Sequence, residues 1–223
     1  MLPINGMPVI EIISRQLYYY GFNKVAVSLG HLSDIVKLFL ESKSQSSGMP
    51  EFEYFTEFKS LGTSGPIKAI SPQEENFLVI NGDILTSINL LDFMEKHSQS
   101  GAILSLSARK AHYELPFGSL TIDSENFITN FEEKPKFELL DNIGIYIYSK
   151  RVLDYIHKDE HIDVNQLVER LLERKQKIFA YINEGPYYWV DIGTHADYDK
   201  VNNDFDKIKD QFPFLNNKRE EAH

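Results

Sequence analysis

Short apolar runs alternate with helix-periodic segments through the first half of this sequence, and this alternation strongly constrains the fold. Residues 8–20 carry apolar side chains at helical spacing, with a proline near the start and Gly21 past the end, which predicts a helix. The sequence then predicts a strand at 24–30, a helix at 33–42 with Ser33 as a cap, and a strand at 51–55. Such alternation is typical of an α/β fold with a parallel sheet.

Two aspartates each follow a short apolar run. The run at 76–80 leads into Asn81-Gly82-Asp83, which predicts a buried parallel strand with Asp83 at its carboxyl end. Open α/β sheets bind ligands at that end of their strands. Asp191 ends another aromatic and β-branched run, and two strand-end aspartates can share one divalent metal ion. Each aspartate taken alone also fits a turn or the cap of a following helix.

The second half of the chain begins with short strand-like segments instead of alternating strands and helices. Residues 118–123, 127–131 and 143–148 are short β segments with hairpin-like turns between them, which predicts a mixed sheet. Helical periodicity within 153–175, a strand at 178–182 and a helix from 196 towards 214 complete the pattern.

Composition limits the classes of function. A length of 223 residues suits one domain, and the net charge of −10 is a poor match to a nucleic-acid backbone. Because the chain has no cysteine, any metal must be held by oxygen or imidazole ligands, which favours magnesium or manganese. No signal-like or membrane-length apolar run is present, so we expect a cytoplasmic protein with no membrane partner.

Five segments in a fixed order resemble the sugar-1-phosphate nucleotidyltransferase family, which makes activated nucleotide sugars. The segments are 1–8 (MLPINGMP), 61–65 (LGTSG), 81–83 (NGD), 131–135 (FEEKP) and 189–194 (WVDIGT). Each is weakly informative alone, whereas the ordered set spans nearly the whole chain.

The resemblance implies a Rossmann-like, doubly wound mixed sheet and a specific reaction. A nucleoside monophosphate passes from a nucleoside triphosphate to a sugar 1-phosphate, with release of pyrophosphate, in nucleotide-sugar supply for surface polysaccharides. It also implies one domain over 1–223, with a nucleotide-binding half at 1–110, a sugar-binding half at 111–195 and a helix and tail at 196–223. The segment 61–66 is most similar to guanylyl- or uridylyltransferases, so mannose- or heptose-type sugar phosphates are the first to test.

The resemblance also assigns roles to single residues. Asp83 and Asp191 would hold Mg²⁺ at the reacting phosphates, Lys134 would meet the sugar phosphate, and Glu133 would hydrogen-bond a sugar hydroxyl. The remaining expected contacts are with the nucleotide (Gly62, Thr63, Gly65, Asn81 and Gly82) and with the sugar (Gly118 and Gly144). Glycines suit both sets because a side chain would block close approach of the backbone to a base or a ring.

Other interpretations of these residues stay open. Without the resemblance, 132–135 is ordinary turn composition, and Gly62 and Gly65 are more often turn glycines than ligand contacts. A non-catalytic module that binds nucleotide sugars is the alternative function. A dinucleotide-binding dehydrogenase is disfavoured, because no GxGxxG segment follows a predicted strand.

The family pattern carries a strand, a GGxGTR loop and a lysine ahead of the segment that matches 1–4. The resemblance therefore implies that the first central strand is missing from this chain, leaving residues 25–29 and 77–80 beside a gap. We expect the true start to lie upstream, because Asp83, Lys134 and Asp191 are all retained. A partner chain or a homo-oligomer that supplies the strand, and a degenerate paralogue, stay open. Met7 also departs from the pattern, since many relatives carry lysine there.

Overall fold

The computed structural model describes residues 3–30, 33–44 and 46–216. The strands are β1 (Pro3–Ile4), β2 (Met7–Pro8), β3 (Lys24–Leu29), β4 (Glu51–Thr56), β5 (Asn76–Ile80), β6 (Ile84–Thr86), β7 (Leu104–Glu114), β8 (Ser119–Ile122), β9 (Ile128–Glu132), β10 (Lys136–Ser149), β11 (Ile178–Ile182) and β12 (Trp189–Asp191). The α-helices are α1 (Val9–Tyr19), α2 (Ser33–Lys43), α3 (Gly65–Ile70), α4 (Leu90–Ser100), α5 (Val164–Glu173) and α6 (His195–Ile208). Short 3₁₀ helices occupy Lys150–Tyr155, Lys209–Gln211 and Pro213–Asn216. No helix among the described residues is long and apolar enough to cross a membrane.

The largest sheet is mixed, as the short β segments of the second half predict. Its strand order is β11-β7-β10-β5, in which β11 runs parallel to β7 and the other two pairings are antiparallel. A second pair, β3 and β4, is parallel and carries α2 on the connection between them. The chain therefore has the predicted mixed α/β, Rossmann-like fold.

The prediction of a buried parallel strand at 76–80 is wrong in both respects. β5 pairs antiparallel with β10, in a register that sets Ile80 opposite Ile145, and all five of its residues are half-buried. An apolar run does not specify which strand lies beside it, because that choice is made by chain segments far away in sequence. Within the described residues, β5 pairs only with β10 and β3 only with β4.

Local signals account for several helix ends. The Asn89 side chain accepts hydrogen bonds from the N–H groups of Leu91 and Asp92 and so caps α4. Asp163 and Gln166 form a reciprocal capping box at the start of α5. Ser33 is the first residue of α2, and the residues just before it lie outside the described part, so its capping role stays a prediction.

Two apolar cores cover the two faces of the main sheet. One packs α1, α4 and α6 around Ile145 and Ile147 of β10. The other packs α5 and the 3₁₀ helix Lys150–Tyr155 against Tyr146 and Tyr148 of the same strand. Alternate residues of β10 therefore serve opposite cores, as the period of two in a strand requires. β7 runs without interruption from 104 to 114, across the expected division between residues 110 and 111.

Candidate functional site

The antiparallel pair β6–β12 brings Asp83 and Asp191 together, although 108 positions separate them in the sequence. Asp191 is the pairing partner of Ile84, and the N–H of Ile192 donates to the carbonyl oxygen of Asp83 at 2.9 Å. Both side chains are exposed to solvent. The backbone ladder therefore makes residues 83 and 191 neighbours at one end of the β6–β12 pair.

The electrostatics of this pair show that the charges are close. The pKa of Asp191 is raised above its ordinary value, first by partial desolvation and then by the carboxylates of Asp83 and Asp197, although the N–H of Gly193 opposes the shift. The pKa of the Tyr146 hydroxyl is also raised, mainly by burial, and the charge of Asp83 adds to the increase. Asp83 thus lies near both groups, and the repulsion between the two aspartates favours a bound cation or proton.

The donor set fits a hard divalent cation. Neither carboxylate forms an ion pair with another described residue, and no group of three or more acidic, histidine or cysteine side chains surrounds them in the described part of the chain. Mg²⁺ is commonly held by one or two carboxylates, with phosphate and water oxygens completing its shell. Two exposed aspartates match that pattern better than they match a site built entirely from protein ligands.

A distortion in β10 forms the neighbouring surface. The register between β10 and β7 shifts between Asn142 and Tyr146, and Gly144 within the shift has a φ of +78°. A Cβ atom at Gly144 would lie 3.0 Å from Nδ2 of Asn81 and 3.1 Å from Ile84, while the N–H of Asn81 donates to the Gly144 carbonyl. Glycine at 144 is therefore explained by packing against the segment that carries Asp83, and a sugar contact there stays a prediction.

Arg109 lies against Trp189 of β12, the strand that ends in Asp191. Its guanidinium lies 4.4 Å from the centre of the Trp189 ring and forms an ion pair of 3.2 Å with Asp141, whose carboxylate also accepts a hydrogen bond from the hydroxyl of Tyr113. The indole N–H of Trp189 donates to the Ile143 carbonyl. Since Trp189 is two residues from Asp191, this cluster borders the aspartate pair. Sequence reasoning missed Arg109, because 109, 141 and 189 are brought together only by strand pairing.

A separate cleft of about 850 Å³ contains part of the expected nucleotide pocket. Its lining residues are Gly30, Glu57, Phe58, Lys59, Ser60, Gly62, Thr63, His161 and Asp163. The carboxylate of Asp163 accepts from the N–H of Thr63, and the hydroxyl oxygen of Thr63 accepts from the N–H of Val164, so two loops are joined at the cleft. Asp163 was not predicted as a site residue, although D-x-x-Q before an apolar run is a sequence signal for its capping role.

The glycines of this loop have a packing reason of their own. A Cβ atom at Gly62, where φ is +73°, would lie 2.7 Å from the carboxylate of Asp163 and from the carbonyl of Ile162. A Cβ atom at Gly65 would lie 2.5 Å from the carbonyl of Glu160. Both positions therefore require glycine for contact with residues 160–163, whether or not a base binds there. Gly82 has open space around it and is exposed.

The remaining expected residues lie on the turn between β9 and β10. Glu133 and Lys134 are exposed, and Lys134 has a φ of +49° and no ion-pair partner among the described residues. Gly118 packs closely on this turn, since a Cβ atom there would lie 2.7 Å from the Phe131 ring and 3.0 Å from Oε2 of Glu133. No hydrogen bond or ion pair within the described residues joins Lys134 to the aspartate pair.

Comparisons with known proteins give a consistent result. A family model described as nucleotidyl transferase matches residues 1–208. A UTP–glucose-1-phosphate uridylyltransferase of Synechocystis sp. is 27% identical over 89% of this chain and 55% of that protein. A mannose-1-phosphate guanylyltransferase of Mycobacterium tuberculosis is 26% identical over 89% of this chain and 56% of that protein. This chain thus spans about half the length of these two curated relatives.

Solved structures show the same fold. HddC from Yersinia pseudotuberculosis, also solved in complex with GMP-PN, aligns with a TM-score of 0.66 and 24% identity. The alignment covers 92% of this chain and 88% of that one. At this level of identity the likeness concerns the fold alone.

Proposed function

Because the chain belongs to the nucleotidyl transferase family, we propose that it transfers a nucleoside monophosphate from a nucleoside triphosphate to a sugar 1-phosphate. An oxygen of the sugar phosphate attacks the α-phosphorus, and the bond to the leaving pyrophosphate breaks. The observation that carries the proposal is that the β6–β12 ladder, in which Asp191 pairs with Ile84 and the N–H of Ile192 donates to the carbonyl of Asp83, makes these two aspartates neighbours. Phosphoryl-type transfers depend mainly on positioning and on compensation of charge, and two convergent carboxylates that recruit a cation serve that need.

In this proposal Asp83 and Asp191 hold Mg²⁺, which supplies positive charge at the reacting phosphates. The backbone of Gly62, Thr63 and Gly65 lines the nucleobase pocket within the cleft, and Asn81 and Gly82 approach the nucleotide from the end of β5. Phe58, which is fully exposed at the rim of the cleft, offers a flat apolar surface beside that pocket.

The sugar phosphate binds on the other side of the aspartate pair. Lys134, an exposed cation without an acidic partner among the described residues, meets the sugar phosphate, and Glu133 accepts a hydrogen bond from a sugar hydroxyl. Gly118 and Gly144 leave room for the sugar ring. Arg109 stacks on Trp189 beside this surface, and its charge is balanced by Asp141.

The base and the sugar are open within the family, and the two curated relatives above carry uridylyl and guanylyl names. We propose nucleoside triphosphates with guanine or uracil and mannose- or heptose-type sugar 1-phosphates as the first panel. We further propose a cytoplasmic role in nucleotide-sugar supply for polysaccharide synthesis. The expected division into nucleotide-binding (1–110) and sugar-binding (111–195) halves belongs to the same proposal.

A pyrophosphate-release assay tests the proposal directly. We expect release that requires one nucleoside triphosphate, one sugar 1-phosphate and a divalent cation. Asp83→Asn and Asp191→Asn should each lower kcat at least ~10²-fold, because each removes a charge that compensates the reacting phosphates. Asp206→Asn is the matched control, since Asp206 is exposed and pairs only with Lys209 in the described residues.

Two outcomes would contradict the assignment. Full rates in Asp83→Asn and Asp191→Asn would show that these carboxylates do not act in the reaction. Absence of turnover with every substrate pair, together with a melting temperature that nucleotide sugars still raise, would favour the non-catalytic binding module.

A further inference from the structure

The strand that ends in Asp191 has only a short backbone ladder. β12 spans three residues and, within the described chain, pairs only with the three residues of β6. An isolated two-stranded pair is marginally stable at best, so side-chain contacts must help to fix its position. Val190 and Ile192 pack into one apolar core, and Trp189 joins the strand to β7 and β10.

Trp189 makes this link through two contacts. Its indole N–H donates to the carbonyl oxygen of Ile143 at 2.9 Å, within the stretch where the register between β10 and β7 shifts. The guanidinium carbon of Arg109 lies over the ring, 4.4 Å from its centre. One contact therefore holds the edge of the indole, and the other covers its face.

The guanidinium of Arg109 is itself held in one orientation. Its Nε and Nη2 atoms both donate to Oδ2 of Asp141, at 3.3 and 3.2 Å, and the hydroxyl of Tyr113 donates to the same carboxylate at 2.8 Å. Arg109 and Asp141 are direct cross-strand partners of β7 and β10. The main sheet therefore sets the plane of the guanidinium that meets the indole.

This arrangement favours a role for the shape of Arg109 over a role for its charge. The positive charge is balanced by Asp141 at ion-pair distance, so a substrate phosphate would have to compete with that carboxylate. A planar guanidinium can stack on an aromatic ring while it donates sideways to an acid. Such a group is well suited to hold the ring in place.

We propose that Arg109 is a positioning residue that acts through Trp189 on Asp191. Anchored by Asp141, it holds the indole against β10 and so fixes the end of β12. Displacement of a reacting group by 1 Å can lower a rate by about 10²-fold, so loss of this support should be felt at the reacting phosphates. The inference rests on the proposed function in one respect, namely that Asp191 binds the cation.

The fluorescence of Trp189 reports the contact directly, because the chain has no other tryptophan. Arg109→Lys keeps the charge but removes the planar fork, and Asp141→Asn weakens the anchor. In both variants we expect the acrylamide quenching constant to rise at least ~2-fold, because the ring loses its cover. Arg174→Lys, at an exposed arginine just after α5, is the control and should leave quenching unchanged.

Binding of Mn²⁺, measured by titration calorimetry without substrate, links the contact to Asp191. We expect Arg109→Lys to weaken binding at least ~5-fold in the otherwise unchanged protein and to have no further effect in Asp191→Asn, because the residue that it positions is then gone.

Pyrophosphate release separates position from charge. Arg109→Lys should lower kcat at least ~10-fold and change the KM of each substrate less than ~2-fold. Asp141→Asn should also lower kcat, whereas a charge that acted on the phosphates would act more strongly once Asp141 no longer balanced it. Both side chains are partly exposed, so we expect both variants to fold, and a cooperative thermal transition checks this.

Failure of this inference can be told apart from failure of the proposed function. If Asp191→Asn leaves Mn²⁺ affinity unchanged, the metal assignment is wrong and the inference falls with it. If Asp191→Asn weakens Mn²⁺ binding while Arg109→Lys does not, or if Arg109→Lys weakens it equally with and without Asp191, only the positioning role is overturned. A raised kcat in Asp141→Asn would also overturn it and would assign Arg109 to the substrate phosphates.

Discussion

At the scale of single residues, the packing of Asp163 against the cleft loop requires glycine at position 62. The positive φ of Gly62 lets the N–H of Thr63 reach the carboxylate of Asp163, and the space that a Cβ atom would occupy is filled by Asp163 and Ile162. The same carboxylate caps α5. One acidic side chain therefore holds both the cleft loop and the start of a helix.

We predict that Gly62→Ala destabilises the protein by more than the ~1 kcal/mol that an unfavourable φ alone costs. Gly21→Ala is the matched control, because Gly21 has a φ of +87° but nothing within 4 Å of its Cβ position. The free energies of unfolding of the two variants, measured by urea denaturation, separate the cost of the unfavourable φ from the cost of crowding against Asp163. Equal losses of stability would contradict the role given to the contact with Asp163.

We also predict an effect of pH on cation binding at Asp191. Its pKa is raised above the ordinary value, so protons compete with a divalent cation from a higher pH than they would at an unperturbed aspartate. Affinity for Mn²⁺, measured by titration calorimetry, should be constant near pH 7 and fall as the pH drops through that raised pKa. In Asp191→Asn the affinity at neutral pH should be lower and its dependence on pH weaker. An unchanged pH profile in this variant would contradict the assignment.

Lys134 is predicted to act on one substrate. Lys134→Ala should raise the KM for the sugar 1-phosphate about 10-fold or more, because it removes an unpaired cation from the binding surface. The KM for the nucleoside triphosphate should change little. Steady-state kinetics with each substrate varied in turn checks this, and Lys136→Ala, which removes a cation that pairs with Glu114, is the control. An effect confined to the nucleoside triphosphate would contradict the assignment.

At the scale of elements, an ion pair fixes the loop that precedes α5. Arg170 donates to both oxygens of Glu160, at 2.9 and 2.6 Å, and to the carbonyl of Tyr155. The hydrogen bonds from Arg170 are the largest cause that lowers the pKa of Glu160 to about 2. Both side chains are less than a third exposed. This loop supplies the carbonyls of Glu160 and Ile162 that contact Gly65 and Gly62, so the ion pair supports one wall of the cleft.

We predict that Glu160→Gln lowers the free energy of unfolding at pH 7 by about 1 kcal/mol, a value at the low end for charged hydrogen bonds because solvent screens the pair. The folded-state pKa lies below the unfolded value, so the contribution is complete above about pH 4.5 and is lost as the pH falls towards 2. Chemical denaturation at several pH values should show the difference from the unchanged protein shrinking over that window. Glu169→Gln, on the exposed side of α5, is the control and should have little effect. If the difference in the free energy of unfolding between Glu160→Gln and the unchanged protein did not depend on pH, the contribution of Glu160 would not arise from its charge.

At the scale of the whole molecule, the proposed sites join the ends of several elements. Asp83 precedes β6 and Asp191 ends β12, the β9–β10 turn carries Glu133 and Lys134, and the start of α3 and the loop before it carry Gly65 and Gly62. No single element contains a complete site. Ligand binding should therefore stabilise the packing between elements.

We predict that Mg²⁺ and nucleoside triphosphate together raise the melting temperature. At a ligand concentration about 100 times Kd the gain is roughly 2.7 kcal/mol, which corresponds to ~5–10 °C for a chain of this size. Differential scanning fluorimetry measures the shift. The part of the shift in melting temperature that requires Mg²⁺ should disappear in Asp83→Asn and persist in Asp206→Asn. A shift of the same size in both variants would place the cation elsewhere.

Local patterns of apolar residues in the sequence predicted most of the helices and strands, but not which strands pair with each other. Apolar periodicity predicted a helix at 8–20, observed as Val9–Tyr19, and a strand at 24–30, observed as Lys24–Leu29. It did not predict β6, because three residues are too short for a periodic signal. It also predicted only 143–148 of β10, since the first half of that strand is exposed and lacks a continuous apolar run.

The sequence by itself determined the fold class, the helix ends and the chemistry of the acidic candidates, because dihedral preferences, capping and side-chain type act within a few residues. Only the tertiary structure decided that β5 runs antiparallel to β10, that Arg109 stacks on Trp189, and that Asp83 and Asp191 are neighbours. These contacts join segments tens of residues or more apart. Their formation depends on the packing of the whole chain, which a short window of sequence does not contain.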